Sequence, residues 1–446
     1  MTSCMRIAIV GAGISGLATA FYLQRARPDW KLLIYDANHV PGGTMRTVEC
    51  DGFRFEAGGN GFLTNKPDSM QLVRDASAEH LLLPSSDLAR KRYIFTDRLH
   101  RLPETPPAFI VSRLLSLPQK LRVAAEVFIL PKRDAGDETL QSFGYRRVGK
   151  AFTDIFLDAM TAGIYATTPD RVSVNAAFPL VVRLEREHGG LFRGMIARRK
   201  RSAGPGGTLM SFKGGVGSFI AHLQSVLQAD WRLGSAVTSI RADGNSYRIV
   251  TANGEESVDK VVLAATAPAT AEMLRDLDAE LAARLAGIEY SPIAVVGFGY
   301  QHPEHPMDGF GLLTTSAAGL PILGVLWDSS IFPDRAPEGA KSLRVMIGGQ
   351  RNPELVQLDE AGLIATAREG IRRTMGMNIE PDISFVQRWE RGIPNYSVGH
   401  LKAMDKLFSH AAHHANLHLN CNAYRGIAMN DCIRNSRELA EKICAA

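Results

Sequence analysis

Arg6-Ile-Ala-Ile-Val-Gly-Ala-Gly-Ile-Ser-Gly-Leu-Ala-Thr-Ala20 decides the fold, because an apolar strand runs straight into a glycine-spaced turn and then into a helix. That order is the context a pyrophosphate-binding turn requires. Gly11 permits the tight turn, Gly13 lets the backbone approach the phosphates, and Gly16 lets helix and strand pack closely. The helix N-terminus supplies unpaired N–H groups and the positive end of its dipole. A second strand, Lys31-Leu-Leu-Ile-Tyr-Asp36, ends in an acid where a ribose hydroxyl needs an acceptor. A nucleotide is therefore expected across residues 6 to 36.

Downstream lie Val40-Pro-Gly-Gly-Thr-Met-Arg46, a second glycine turn (Gly42, Gly43) carrying the cation Arg46, and Phe55-Glu-Ala-Gly-Gly-Asn-Gly61, which contains Gly58. A nicotinamide enzyme has no use for these extra turns. The arrangement resembles the flavoprotein superfamily that includes amine oxidases and phytoene desaturases, in which the second turn lies along FAD. The resemblance implies an α/β architecture: a Rossmann-like, amine-oxidase-like FAD-binding domain, a sheet-based substrate domain and an inserted helical domain. It makes FAD the expected cofactor, with Gly11, Gly13, Gly16 and Arg46 at its pyrophosphate, Asp36 on its ribose, and Gly42, Gly43 and Gly58 as further cofactor-binding positions.

The 446 residues, 45% hydrophobic and 22% charged, belong to a folded globular chain of two or three domains. A net charge of +5 gives no reason to expect a nucleic-acid partner. The basic excess gathers at Arg193, Arg198, Arg199, Lys200 and Arg201, read as a solvated loop or as an attraction to anionic lipid. Cysteines 4, 50, 421, 432 and 444 show no Cys-x-x-Cys pair, so a reducing compartment is expected. Neither a cleavable signal nor a spanning apolar run is evident. The expected location is cytoplasmic, with peripheral contact at the inner face of the cell membrane.

Residues 105 to 131 change to helical periodicity and read as two short amphipathic helices broken at Pro118. More helix is expected from Ser142 to Gly163 and from Asn175 to Arg186, as a block inserted into the frame. The frame resumes with a strand near Ala236–Ile240, a hairpin around Asn253-Gly254 and a buried strand from Lys260. Strands fill 288 to 350, a helix ends at Gly376, and a last turn opens the C-terminal helix. The expected domains are 1–85, 205–285 and 385–446 for FAD, 86–104 and 286–384 for substrate, and 105–204 for the helical, membrane-associating part.

No metal site is expected: His302 and His305 sit in a proline-punctuated turn, and His410, His413 and His414 read as surface. With no nucleophile motif either, no side chain is expected to be catalytic, and the cofactor must carry the reaction.

A closer resemblance covers nearly the whole chain. Asp137–Gly149, Gly163–Asp170, Phe178-Pro179, Glu185–Gly194, Lys213–Phe219, Gly309–Leu313, Pro394-Asn-Tyr-Ser-Val-Gly-His400 and Asn430-Asp-Cys-Ile433 resemble the oxygen-dependent protoporphyrinogen oxidases. That family implies three two-electron oxidations of a porphyrinogen, with flavin N5 taking hydride and oxygen reoxidising the flavin to give hydrogen peroxide. It implies that Phe310, Gly311 and Leu313 sandwich the macrocycle, that Leu326 and Met346 line the same cavity, and that Arg92 meets a propionate. By the same resemblance Val237 lies on the adenine side, while Trp389, Ala428 and Met429 flank the flavin ring. Gly58-Gly59-Asn60 departs from the family's Gly-Pro pair, and Lys66 reads either as a cation for a second carboxylate or as surface.

Arg92 and the Asn-Asp-Cys-Ile ending favour protoporphyrinogen IX; coproporphyrinogen III is the alternative. An amine or carotenoid oxidase, with Cys421 as a flavin-linking residue, or a non-enzymatic binder would share only the frame. The expected partners are a porphyrinogen, molecular oxygen and a membrane surface, with a homo-oligomer left open.

Overall fold

The computed structural model describes residues 4–132, 134, 136–201 and 207–445. Residues 202–206 and the side chains of 198–201 lie outside it, and with them most of the basic run.

The opening motif forms the middle of a five-stranded sheet in the order Ala229–Leu233, Lys31–Asp36, Arg6–Val10, Lys260–Leu263, Leu417–Leu419. All pairings are parallel. Its three central strands read as near-continuous apolar runs because both faces are covered there, while the edge strand Ala229–Leu233 carries Asp230 and Arg232. One face packs the helices Ile14–Ala26, Val216–Val226 and Met429–Ala445 through Ile9, Leu17, Ile34, Phe219 and Ile433. The other packs Ala8, Leu33 and Val261 against the meander Val237–Asp243, Ser246–Thr251, Gly254–Val258 and the helices Ala267–Leu274, Ala279–Ala286 and His400–Ala411. The last hairpin strand starts at Gly254 itself, within the turn expected around Asn253-Gly254.

A seven-stranded sheet holds, in order, Ile383–Pro394, Tyr290–Tyr300, Lys341–Gly348, Ile322–Leu326, Gly311–Thr314, Arg92–Phe95 and Leu99–Arg101. The boundary expected at 385 falls inside the first of these strands. The sheet's period of two sorts its side chains. Tyr93, Val296, Leu312, Val325, Leu343 and Val345 face the Glu360–Met375 helix in one core. That helix is capped by Asp359 and stopped by Gly376 in the left-handed conformation. The alternate residues Arg92, Leu313, Leu326, Arg344, Met346 and Trp389 share the opposite face, by the register of their strands.

The helical block covers part of that face. Pro118 does not break a helix but lies in the first turn of Leu117–Ala124, where its missing N–H is harmless, and the break comes at 112–116 after Pro106–Val111. The helix Asp158–Tyr165, entered through a wide turn at Thr153–Leu157, lies over the sheet at Gly163, where a Cβ would stand 2.8 Å from a Leu313 methyl. Arg351 anchors this helix by pairing with Asp158 at 2.9 Å, both side chains buried.

Candidate functional site

The two glycine turns are zipped together. Gly13 and Gly42 form a parallel bridge, and the Gly42 N–H donates to the Ala12 carbonyl at 2.8 Å. Gly11 holds φ +107°, and a Cβ there would lie 2.7 Å from the Ala264 backbone. A Cβ on Gly16 would lie 1.9 Å from the Gly11 carbonyl oxygen, so the close approach read from sequence is real. The Ile14–Ala26 helix starts here with no acid in its first turn, which leaves its free N–H groups and positive dipole end to an anion.

Asp36 braces this turn as well as ending its strand. Its carboxylate accepts the Ala12 N–H at 2.8 Å, the Asn38 N–H at 2.8 Å and the Asn38 amide at 2.9 Å, leaving one of roughly four acceptor sites. The Ser235 N–H donates to the Asp36 carbonyl at 2.9 Å, which draws the strand beginning at Val237 to the same edge. Arg46 donates from one terminal nitrogen to Gln387 at 2.6 Å, while its buried Nε has no partner among the described residues.

The third turn, Glu56 to Asn60, is held from the seven-stranded sheet. Trp389 donates its indole N–H to the Ala57 carbonyl at 2.7 Å. Arg344 donates to the Glu56 and Gly58 carbonyls, the latter at 3.0 Å, and to the Asn60 side chain. Asp328 accepts both of its other donors, at 2.6 and 2.9 Å. Gly58 is required by contact, since a Cβ would lie 2.4 Å from the Thr44 carbonyl, whereas Gly59 faces open space. Ala428 is exposed and its carbonyl accepts from Asp431 and Cys432, opening the last helix, while Met429 turns into the core.

The residues expected to touch substrate are brought onto one sheet face, but in three packing groups. Phe310 and Leu326 share a cluster with Ala89 and Phe332. Leu313 packs with Ile94 and Ala159, and Met346 with Trp389, Ile293 and Ala162. Phe310 is fixed by its backbone, donating to Lys91 at 2.8 Å and accepting from Trp327 at 3.0 Å, and Lys91 is itself paired with Asp308. Gly311 at φ +131° pairs with Arg92 and leaves a Cβ no room beside the Val325 carbonyl. Arg92 is exposed, lies over the Phe310 ring at 5.2 Å, and has no ion pair among the described residues.

Other expectations are corrected. Lys66 is paired with Asp431 at 2.7 Å and is not a free cation. Leu114, in the 105–131 segment expected to meet a membrane, is 7% exposed and packs on Ile94 and Ala159. His410 and His414 are half-buried, with both ring Nε2 atoms against Asp278 at 2.8 and 2.6 Å. Cys421 is buried, and burial pushes its thiol up to about 12, which leaves it protonated and a poor nucleophile. Sequence reasoning missed Arg344, Asp328 and Gln387. The available signal was an arginine in the middle of the otherwise apolar Leu343–Ile347 run, since such a residue is almost never buried unpaired.

The pieces around the glycine turns fit a dinucleotide: an acid-free helix start, one remaining acceptor on Asp36 and an orphaned buried guanidinium nitrogen on Arg46. Comparison with known proteins agrees. A coproporphyrinogen III oxidase of Bacillus subtilis is 28% identical over 96% of this chain and 95% of its own length. A chloroplastic protoporphyrinogen oxidase of Nicotiana tabacum is 28% identical over 98% of this chain and 84% of its own. A crystal structure from Exiguobacterium sp. 255-15, provisionally named a protoporphyrinogen oxidase, superposes with a TM-score of 0.88 at 26% identity over 100% of this chain and 99% of that one. Residues 14–444 match the family described as flavin containing amine oxidoreductase, and the chain belongs to that family, with FAD as its cofactor.

Proposed function

We propose that the chain oxidises protoporphyrinogen IX to protoporphyrin IX in three two-electron steps, late in haem or porphyrin synthesis. The observation that carries this reading is Arg92 over Phe310, a cation without an ion pair among the described residues, at the edge of an apolar sheet face. A flat, greasy macrocycle with a carboxylate tail matches that pairing, because a guanidinium fork meets a carboxylate bidentately. Leu326 and Met346 offer it an apolar wall, and Trp389 closes the end nearest the glycine turns.

Bound FAD supplies two-electron acceptance in each round, with molecular oxygen as the final acceptor and hydrogen peroxide as the product. The substrate carbon is a CH₂ between two pyrroles, so the positive charge left by hydride loss spreads onto pyrrole nitrogen and the proton departs readily. The protein then has to position and desolvate rather than to act as a strong base. Consistent with this, acids beside the wall residues are engaged: Asp328 by Arg344, Asp158 by Arg351 and Asp308 by Lys91.

The Bacillus subtilis relative favours a second reading, coproporphyrinogen III as substrate. That molecule carries four propionates rather than two, and on the sheet face Arg344 is held by Asp328, whereas Arg92 has no ion pair among the described residues. Turnover of the two purified porphyrinogens separates the readings: the proposal expects the higher kcat/KM with protoporphyrinogen IX, and a higher value with coproporphyrinogen III would replace it.

The three-part division into FAD, substrate and helical domains belongs to the same reading. So does a peripheral membrane contact on the cytoplasmic side, through the helical part. Among the described residues no helix is long and apolar enough to cross a membrane. Val111, Leu117, Phe128 and Leu130 nevertheless each stand exposed within the 105–131 segment, Phe128 at 80%.

A further inference from the structure

Arg344 lies on the Lys341–Gly348 strand, in register with Leu326 and two residues before Met346. Its side chain is 1% exposed and that of Asp328 3%. Asp328 follows Leu326 by two residues, so the carboxylate that receives the guanidinium belongs to the end of the neighbouring wall strand. The remaining donors leave the sheet altogether and end on the Glu56 carbonyl, the Gly58 carbonyl and the Asn60 side chain. One planar fork therefore ties two strands of the proposed substrate wall to the turn that carries Gly58.

A buried ion pair is poor evidence for stability, since apolar residues of similar size often do as well. What a fully used guanidinium supplies is geometry: its donors are fixed in one plane and cannot be satisfied if the turn slides. We propose that Arg344 is a positioning residue that sets the distance between the cofactor-facing turn at 57–60 and the Leu326–Met346 wall. Asn60, the residue after Gly58-Gly59, is the acceptor that completes this clamp on the turn side. From the Ile383–Pro394 strand, Trp389 on Ala57 braces this turn and Gln387 against Arg46 braces the second glycine turn, so the clamp is one of several struts.

The inference rests on the proposed substrate wall, and its test keeps the two apart. Purified FAD-bound Arg344→Lys and Asn60→Ala are compared with the parent protein by visible spectrum, by flavin midpoint potential, and by the rate of flavin reduction on anaerobic mixing with protoporphyrinogen IX. Lysine keeps the charge for Asp328 but not the fork. The expected result for Arg344→Lys is a shifted flavin band and potential, with a limiting reduction rate lower on the order of ten- to a hundredfold and little change in half-saturating substrate. Asn60→Ala should move the same quantities less, and it decides the matter if the lysine variant does not fold. Unchanged band, potential and rate in a folded variant would overturn the proposal. If the parent protein is not reduced by the porphyrinogen, the substrate reading fails while band and potential still decide the role of Arg344.

Discussion

The Arg92 guanidinium lies 5.2 Å from the centre of the Phe310 ring; Arg92 opens the Arg92–Phe95 strand and Phe310 sits in the bend just before the Gly311–Thr314 strand. Arg92 is set by parallel pairing with Gly311, and Phe310 by backbone bonds to Lys91 and Trp327. A cation resting on an aromatic face keeps its N–H fork free at its edge for a carboxylate.

Arg92→Ala should therefore raise KM for protoporphyrinogen IX by about ten- to a hundredfold, the equivalent of a charge-assisted hydrogen bond of ~1.5–3 kcal/mol, and leave kcat nearly unchanged. Arg92→Lys should recover part of the loss. Steady-state kinetics on the three proteins checks it, and an unchanged KM in the alanine variant would remove Arg92 from the substrate site.

Gly58 and Gly59 are neighbours with opposite tolerances. A Cβ on Gly58 would stand 2.4 Å from the Thr44 carbonyl, and one on Gly59 meets nothing within 4 Å. Gly58→Ala should give protein with substoichiometric flavin and a lowered Tm, while Gly59→Ala should fold with parental thermal stability. Flavin content per chain and a thermal melt distinguish them; equal tolerance at both positions would contradict the placement of the turn.

Much of the cofactor half was legible because its signals are local. Strand, glycine spacing and terminal acid all lie within residues 6 to 36, and the structure reproduces them with Gly13 capping the helix. The proposed substrate wall rests on resemblance rather than on local signals, since Arg92, Leu313, Leu326 and Met346 come from four separate strands. The Arg344 clamp was invisible for the same reason: its acceptors lie 16 and more than 280 residues away along the chain. Pro118 misled because a proline in a helical pattern reads equally as a break or as a first turn.

Phe128→Glu should reduce cosedimentation with anionic phospholipid vesicles while leaving the melt unchanged, because its side chain is exposed. Leu114→Asp should instead destabilise the fold, since it would bury a charge between Ile94 and Ala159. Unaltered vesicle binding by the Phe128 variant would exclude this surface from membrane contact.

Acid precipitation should release all the flavin from the parent protein and from Cys421→Ala alike, because a thiol held at about 12 stays protonated and buried. Flavin remaining on the precipitated parent chain, and not on the variant, would show a covalent link.

Asp278 caps the Ala279–Ala286 helix by accepting the Leu281 N–H at 2.8 Å. Burial opposes ionisation of its carboxylate, but hydrogen bonds from His414, Leu281 and His410 outweigh that and hold its pKa well below the usual range. A depressed carboxylate stabilises the fold above its unfolded pKa of about 3.9 and loses that contribution as pH falls. Asp278→Ala should cost about 1 kcal/mol at neutral pH, the worth of a cap, with the deficit constant down to about pH 5 and shrinking below about pH 4. Melts across that range check it; a deficit that grows on acidification has the wrong sign.

The most direct measurement is anaerobic mixing of the purified yellow protein with protoporphyrinogen IX, followed at the flavin absorbance bands. The proposed function predicts that the bands bleach within a turnover time and return on admitting oxygen, with porphyrin fluorescence appearing. Bands that persist with both protoporphyrinogen IX and coproporphyrinogen III would contradict a porphyrinogen as the substrate.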